Sequence, residues 1–134
     1  MEILKNNSLK EKINDITLDD GQSIQTTEDI LSQINVDDTK FTIQASYSRC
    51  VRCGKTVEIT LGGELVSTVS SGITIATLPY GPGKQIWGAF RTTGSTTWFG
   101  SWIDTDNKVK IEPISGGSLA AGTKIQVHYV FIMN

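Results

Sequence analysis

Histidine is nearly missing from this chain of 134 residues: His128 stands alone, and cysteine occurs only as Cys50 and Cys53. Those shortages exclude much of the usual site chemistry. A structural zinc takes about four ligands, usually a second C-x-x-C or paired histidines. One chain cannot complete that set, although a site shared between subunits stays open. Ser/His/Asp catalysis needs a base within hydrogen-bond reach of its nucleophile. His128 lies inside the β-like run TKIQVHYVFI, beside no serine motif, and reads as a satisfied or solvent-facing strand residue.

Charge is also scarce. Asp, Glu, Lys and Arg make up 19% of the chain, and the net charge is −2. The basic residues are scattered, so no face suits a phosphate backbone, and nucleic acid is not an expected partner. No apolar run approaches the ~20 residues that cross a bilayer, so membrane insertion is not expected. MEILKNNSLKEKIND lacks the apolar stretch of a secretory signal. Synthesis in a cytoplasm is the default expectation, and two cysteines build no disulfide framework there. GPG at 81–83 and SGG at 115–117 lack the Lys-Ser/Thr and helix that follow a phosphate-binding loop. Nothing in the sequence asks for a cofactor.

What is present is glycine, serine, threonine and β-branched residues, the composition of a turn-rich β protein. Residues 1–40 carry four lysines against nine carboxylates, a net −5, whereas residues 41–134 carry +3. This places a compositional boundary near residue 40. Before it, Leu9, Ile13 and Ile16 fit one face of a short helix over 8–16. A second helix is expected from Thr26, with a threonine cap, acidic Glu28 and Asp29 in the first turn, and Ile30, Leu31 and Ile34 on its apolar side. After the boundary come FTIQASYSRCV, KTVEITL, GITIATL, QIWGAF, TTWFGSWI, KVKIEP and TKIQVHYVFI, with Gly, Pro, Asn or Asp separating most of them. That succession predicts an antiparallel, jelly-roll-like β-sandwich over 41–134. The last run alternates Ile125, Val127, Tyr129 and Phe131 on one side. Its other side turns from Gln126 and His128 to Val130 and Ile132, so its far end needs cover on both faces, from a neighbouring subunit or from residues 1–40.

Three constellations deserve weighing. C-x-x-C at 50–53 lacks the βαβ surroundings of a redox pair, and strand residues three apart face opposite ways. The simpler reading is a strand ending at Cys53, a turn at Gly54-Lys55, and one cysteine packed inward. Asp104 and Asp106 resemble a carboxylate or calcium-ligand pair, but IDTDNKVKI lacks the other spaced oxygens and reads more simply as a hairpin turn. In TTWFGSWID, Trp98 and Trp102 point one way, and Phe99, Ser101 and Ile103 the other. Were the tryptophan side exposed, it would form a flat aromatic surface of the kind that stacks on sugar rings. Burial in the core or a subunit interface is the alternative.

The order of turn and core residues resembles the C-terminal β-sandwich domains of bacteriophage fibre, baseplate and receptor-binding proteins. The matching positions are Gly54 and Lys55; Thr77, Leu78, Pro79, Gly81 and Pro82; Asp106, Asn107, Val109 and Ile111; and Leu119, Ala121, Gly122, Thr123, Val127 and Tyr129. The resemblance covers about 45–132. LPYGPGKQ departs from it, since many relatives continue from the proline toward a charged residue, and no coiled-coil or β-helical shaft is present. It implies a non-enzymatic virion protein and a homotrimer around a threefold axis. It also implies an N-terminal segment that attaches to other virion proteins, and a head that contacts a host-surface saccharide. The candidate saccharide contacts are Trp98, Trp102, Asp104, Asp106 and Arg91; no catalytic or metal residue is nominated. A purely structural head-fibre or decoration protein is the alternative. A glycan-cleaving enzyme would need paired carboxylates in an exposed cleft.

Overall fold

The computed structural model describes residues 26–93, 98–114 and 117–134. The helix expected at 8–16 lies outside them. The strands are β1 (Thr27–Asp29), β2 (Asn35–Val36), β3 (Phe41–Ile43), β4 (Arg49–Cys53), β5 (Thr56–Leu65), β6 (Ile73–Thr77), β7 (Ile86–Trp87), β8 (Ala89–Thr93), β9 (Phe99–Ile103), β10 (Lys108–Pro113) and β11 (Lys124–Ile132). Among the described residues they form two antiparallel sheets. One runs β1-β4-β5-β11-β8, with β3 also on β5; the other runs β2-β6-β10-β9-β7. The sandwich expected from the alternating runs is what forms.

The two-residue period explains the packing. Val57, Ile59 and Leu61 of β5 and Val127 of β11 are fully buried on the inner face of the first sheet. Phe99, Ile103, Val109 and Ile111 meet them from the second. At about 25 cal/mol per Å² of apolar area, this alternating burial is the main force joining the sheets. Polar groups meet in that core as well. The Ser101 and Tyr129 hydroxyls hydrogen-bond to one another across the sheets, and burial pushes the Tyr129 phenol up from its ordinary value.

The turns form where the sequence places them. Cys53 pairs with Thr56, leaving Gly54-Lys55 as a two-residue hairpin with Gly54 at φ 60°. Asp104 to Asn107 link β9 to β10, closed by the Asn107 N–H donating to the Asp104 carbonyl at 3.0 Å. Asn107 has φ 65°, a left-handed conformation that asparagine tolerates better than alanine. Asn107→Ala is therefore expected to cost about 1 kcal/mol and Asn107→Gly much less, measured by urea unfolding.

Three expectations change. The helix from Thr26 is reduced to one 3-10 turn, Leu31–Gln33, between β1 and β2. Asp29 accepts from the Leu31 N–H at 2.9 Å, but the acidic residues before Ile30 lie in strand β1. The reason is tertiary. Ile30 is fully buried, and β1 and β2 bond to β4 and β6, which a helix this short could not match. Residues 27–36 thus bind into both sheets, so the charge boundary near 40 does not separate them from the sandwich. FTIQASYSRCV is likewise not one strand. A 3-10 turn at Ala45–Tyr47 divides it, and Ser48 staples the break by donating to the Gly62 carbonyl and accepting from the Gly62 N–H. QIWGAF is divided at Gly88, where the chain leaves one sheet for the other.

Candidate functional site

Alternation in β9 sends Phe99, Ser101 and Ile103 inward and leaves Gly100 and Trp102 on the outer face of the second sheet. Gly100 has no side chain to cover that face, and Trp87 from β7 fills the gap. A Cβ on Gly100 would lie 2.9 Å from the Trp87 ring. Such aromatic cover of a sheet glycine is a recurrent device. Trp87 pairs with Trp102 across the strands, their ring centroids 5.1 Å apart and tilted by 42°. Together with Glu112, Pro113 and Ile114 they line a shallow groove of about 280 Å³. Trp87 keeps 68% of its surface in solvent and Trp98 73%, while Trp102 is half-buried. Trp98 stands just before β9, outside the groove lining, where its carbonyl accepts from the Ile114 N–H.

The nominated carboxylates lie at the other end of β9. Asp104 accepts from Lys110 Nζ at 2.9 Å and from the Thr105 N–H at 3.1 Å. Asp106 bonds the Lys108 N–H and lies 3.6 Å from that lysine's Nζ. Each aspartate is matched with a lysine. The Lys110 hydrogen bond, then the Thr105 N–H, hold Asp104 below the ordinary carboxylate value, and Asp104 raises Lys110 in turn. A lowered carboxylate contributes stability that is complete above its unfolded value of 3.8 and is lost as pH falls through the lower folded value. Asp104→Asn is expected to flatten the fall in stability below about pH 4, read from urea midpoints across that range.

Arg91 is not with these residues. It sits on β8 opposite Gln126, on the outer face of the other sheet. There it borders a groove of about 270 Å³ with Gln44, Tyr47, Thr93, Lys124 and Gln126. The groove exists because the Ala45–Tyr47 turn lies over Gly62, whose missing Cβ would stand 2.5 Å from the Tyr47 carbonyl oxygen. Gln126 Nε2 donates to that same carbonyl at 3.1 Å. Sequence reasoning therefore joined Arg91 to the wrong surface. It also missed Trp87 as the partner of Trp102. The glycine between Trp98 and Trp102 was the available signal, since an empty place on a sheet face calls for an aromatic neighbour.

The remaining chemistry-bearing residues have structural roles. Cys50 is 1% exposed, and burial pushes its thiol up to about 11; Cys53 is exposed on the opposite side, and the two form no disulfide. His128 Nδ1 and Thr60 Oγ1 share a hydrogen bond at 2.8 Å. No group of three His, Cys, Asp or Glu side chains comes together among the described residues.

No protein-family model matches the chain, and no curated protein does either. Among solved structures it is similar to the fiber head domain of the Atadenovirus snake adenovirus 1, at 14% identity, with a TM-score of 0.38, over 81% of this chain and 90% of that one. A likeness of that degree transfers no function.

Proposed function

We propose that this chain is the head domain of a bacteriophage virion fibre or receptor-binding protein, a non-enzymatic homotrimer that attaches to a host-surface saccharide. The observation that supports saccharide contact is the Trp87–Trp102 pair laid over Gly100 beside a groove, with Trp98 exposed just before β9. Large aromatic surface left in water favours a partner with apolar faces, and a sugar ring supplies these. Glu112 and Ile114 edge the groove and offer it both a carboxylate and an apolar contact. Weak sugar contacts become useful when several heads engage together. With residues 27–36 inside the sandwich, attachment to the particle falls to the residues before Thr26. The protein's place is then the virion, after synthesis in the host cytoplasm.

Glycan-array and host-cell binding by the full chain test the reading, beside light scattering. Binding is expected from a trimer and is expected to fall about tenfold or more per head in Trp102→Ala or Trp98→Ala variants that keep the trimer, the scale of one lost aromatic contact. Unchanged cell binding in both variants would remove the aromatic face from the proposal, and a stable monomer at micromolar concentration would remove the trimer.

A second reading, a structural head-fibre or decoration protein without a host ligand, is favoured by one observation. Val130 and Ile132 are 57% and 62% exposed, and no described residue covers them. Such a patch suits a contact with another copy or another virion protein. Failure of an intact trimer to bind any glycan or host cell would favour this reading.

A further inference from the structure

We propose that the groove between the Ala45–Tyr47 turn and strands β8 and β11 is a second ligand site, one that takes an anionic group carried on a polyhydroxyl ligand. It lies on the opposite sheet from the tryptophan face and does not depend on saccharide binding there.

The outer face of the first sheet changes character along β11. At one end Val130 and Ile132 are apolar; at the middle His128 is bonded to Thr60; at the other end stand Lys124, Gln126 and Arg91. Arg91 lies directly opposite Gln126, and Lys124 lies two residues before Gln126 on the same face. The two cations are therefore diagonal neighbours, about 7–8 Å apart at their backbones. Neither makes an ion pair among the described residues. Glu64 faces Lys124 across β5, but no ion pair joins them; its Oε1 lies 3.5 Å from where a Cβ on Gly122 would be. An anion between Arg91 and Lys124 would give both cations a partner.

The walls fit the rest of such a ligand. The Arg91 guanidinium offers a planar fork suited to a carboxylate or phosphate, and Lys124 a point charge. Gln126 is held by its bond to the Tyr47 carbonyl, which positions its amide. Gln44 and Thr93 add donors and acceptors for hydroxyls. Tyr47, 57% exposed, supplies a flat ring. At about 270 Å³ the groove has room for one sugar unit and its anionic substituent.

The test is calorimetric titration of the full chain at low salt with three probes: a trigalacturonic acid, its neutral galactose counterpart, and a short glycerol phosphate polymer. At least one anionic probe is expected to bind tenfold or more tightly than the neutral sugar and to weaken as salt rises. A carboxylate-only result assigns acidic sugars, and a phosphate-only result assigns phosphate polymers. Arg91→Gln and Lys124→Gln are each expected to weaken that binding at least fivefold without changing the melting temperature. Lys84→Gln removes an exposed charge outside the groove and is expected to leave binding unchanged. The proposal is overturned if neither anionic probe binds, if both groove variants bind like the native chain, or if Lys84→Gln weakens binding as much as they do. These outcomes are separate from cell binding by the Trp98 and Trp102 variants, so either site can fail without the other.

Discussion

Phe99→Ala is expected to lower stability by about 3–5 kcal/mol and the melting temperature by about 10–20 °C. Phe99 is fully buried in β9, and its ring centroid lies 4.4 Å from that of Phe90 on β8. Those strands belong to different sheets, so this pair of rings joins the two layers. Truncation loses the transfer energy of the ring and leaves a cavity between sheets whose hydrogen bonds resist collapse. Phe99→Leu keeps much of the volume and is expected to cost less than half as much. Urea unfolding with an unchanged slope measures both. A loss below about 1 kcal/mol for the alanine variant would show that the sheets are not clamped at this ring. Because β9 also carries Trp102 and begins next to Trp98, the same substitution is expected to loosen the aromatic face, which makes it unsuitable as a probe of binding.

Gly88→Ala is expected to cost about 2–4 kcal/mol, an unusually large effect for adding one methyl group. A Cβ there would lie 2.2 Å from the Tyr129 ring and 2.6 Å from the His128 carbonyl oxygen. Neither is the loose end of a flexible chain. The Tyr129 ring is buried and its hydroxyl is tied to Ser101, so moving the ring opens a buried hydrogen bond as well as a packing contact. Gly88 also donates its N–H to the Ser101 carbonyl at 2.9 Å, at the point where the chain passes from one sheet to the other. A double-mutant cycle with Tyr129→Val separates these terms. The smaller side chain removes the ring contact, so Gly88→Ala is expected to cost less in that background than in the native one. Additive costs would show that the carbonyl contact alone resists the methyl group.

Much of this was readable along the chain. Val57, Ile59 and Leu61 alternate with Glu58 and Thr60, and that alternation alone predicts which side of β5 is buried. Gly54 and Asn107 mark their turns because few residues accept the positive φ required there. The inward and outward sides of Phe99 to Ile103 follow from the same period. What was misread has one cause, competition with residues distant in sequence. Thr26 to Asn35 has sound local signals for a helix, yet Ile30 gains more by entering the core beside strands that follow it. Arg91 lies close in sequence to Trp98 but on the other sheet, because the chain changes layers at Gly88 and changes back between β8 and β9. Gly88 is glycine because the Tyr129 ring and the His128 carbonyl, both distant in sequence, leave no room for a Cβ.

The sequence by itself determined the material of this protein: alternating strands, tight turns at residues that permit them, one interior period, and no reserve of histidine or cysteine for chemistry. The tertiary structure alone decided which surfaces exist. Pairing Trp87 with Trp102, setting Arg91 beside Lys124 and leaving Val130 and Ile132 bare depend on which strands become neighbours. Strand pairing joins residues far apart in the chain, and local side-chain periodicity carries no information about that choice.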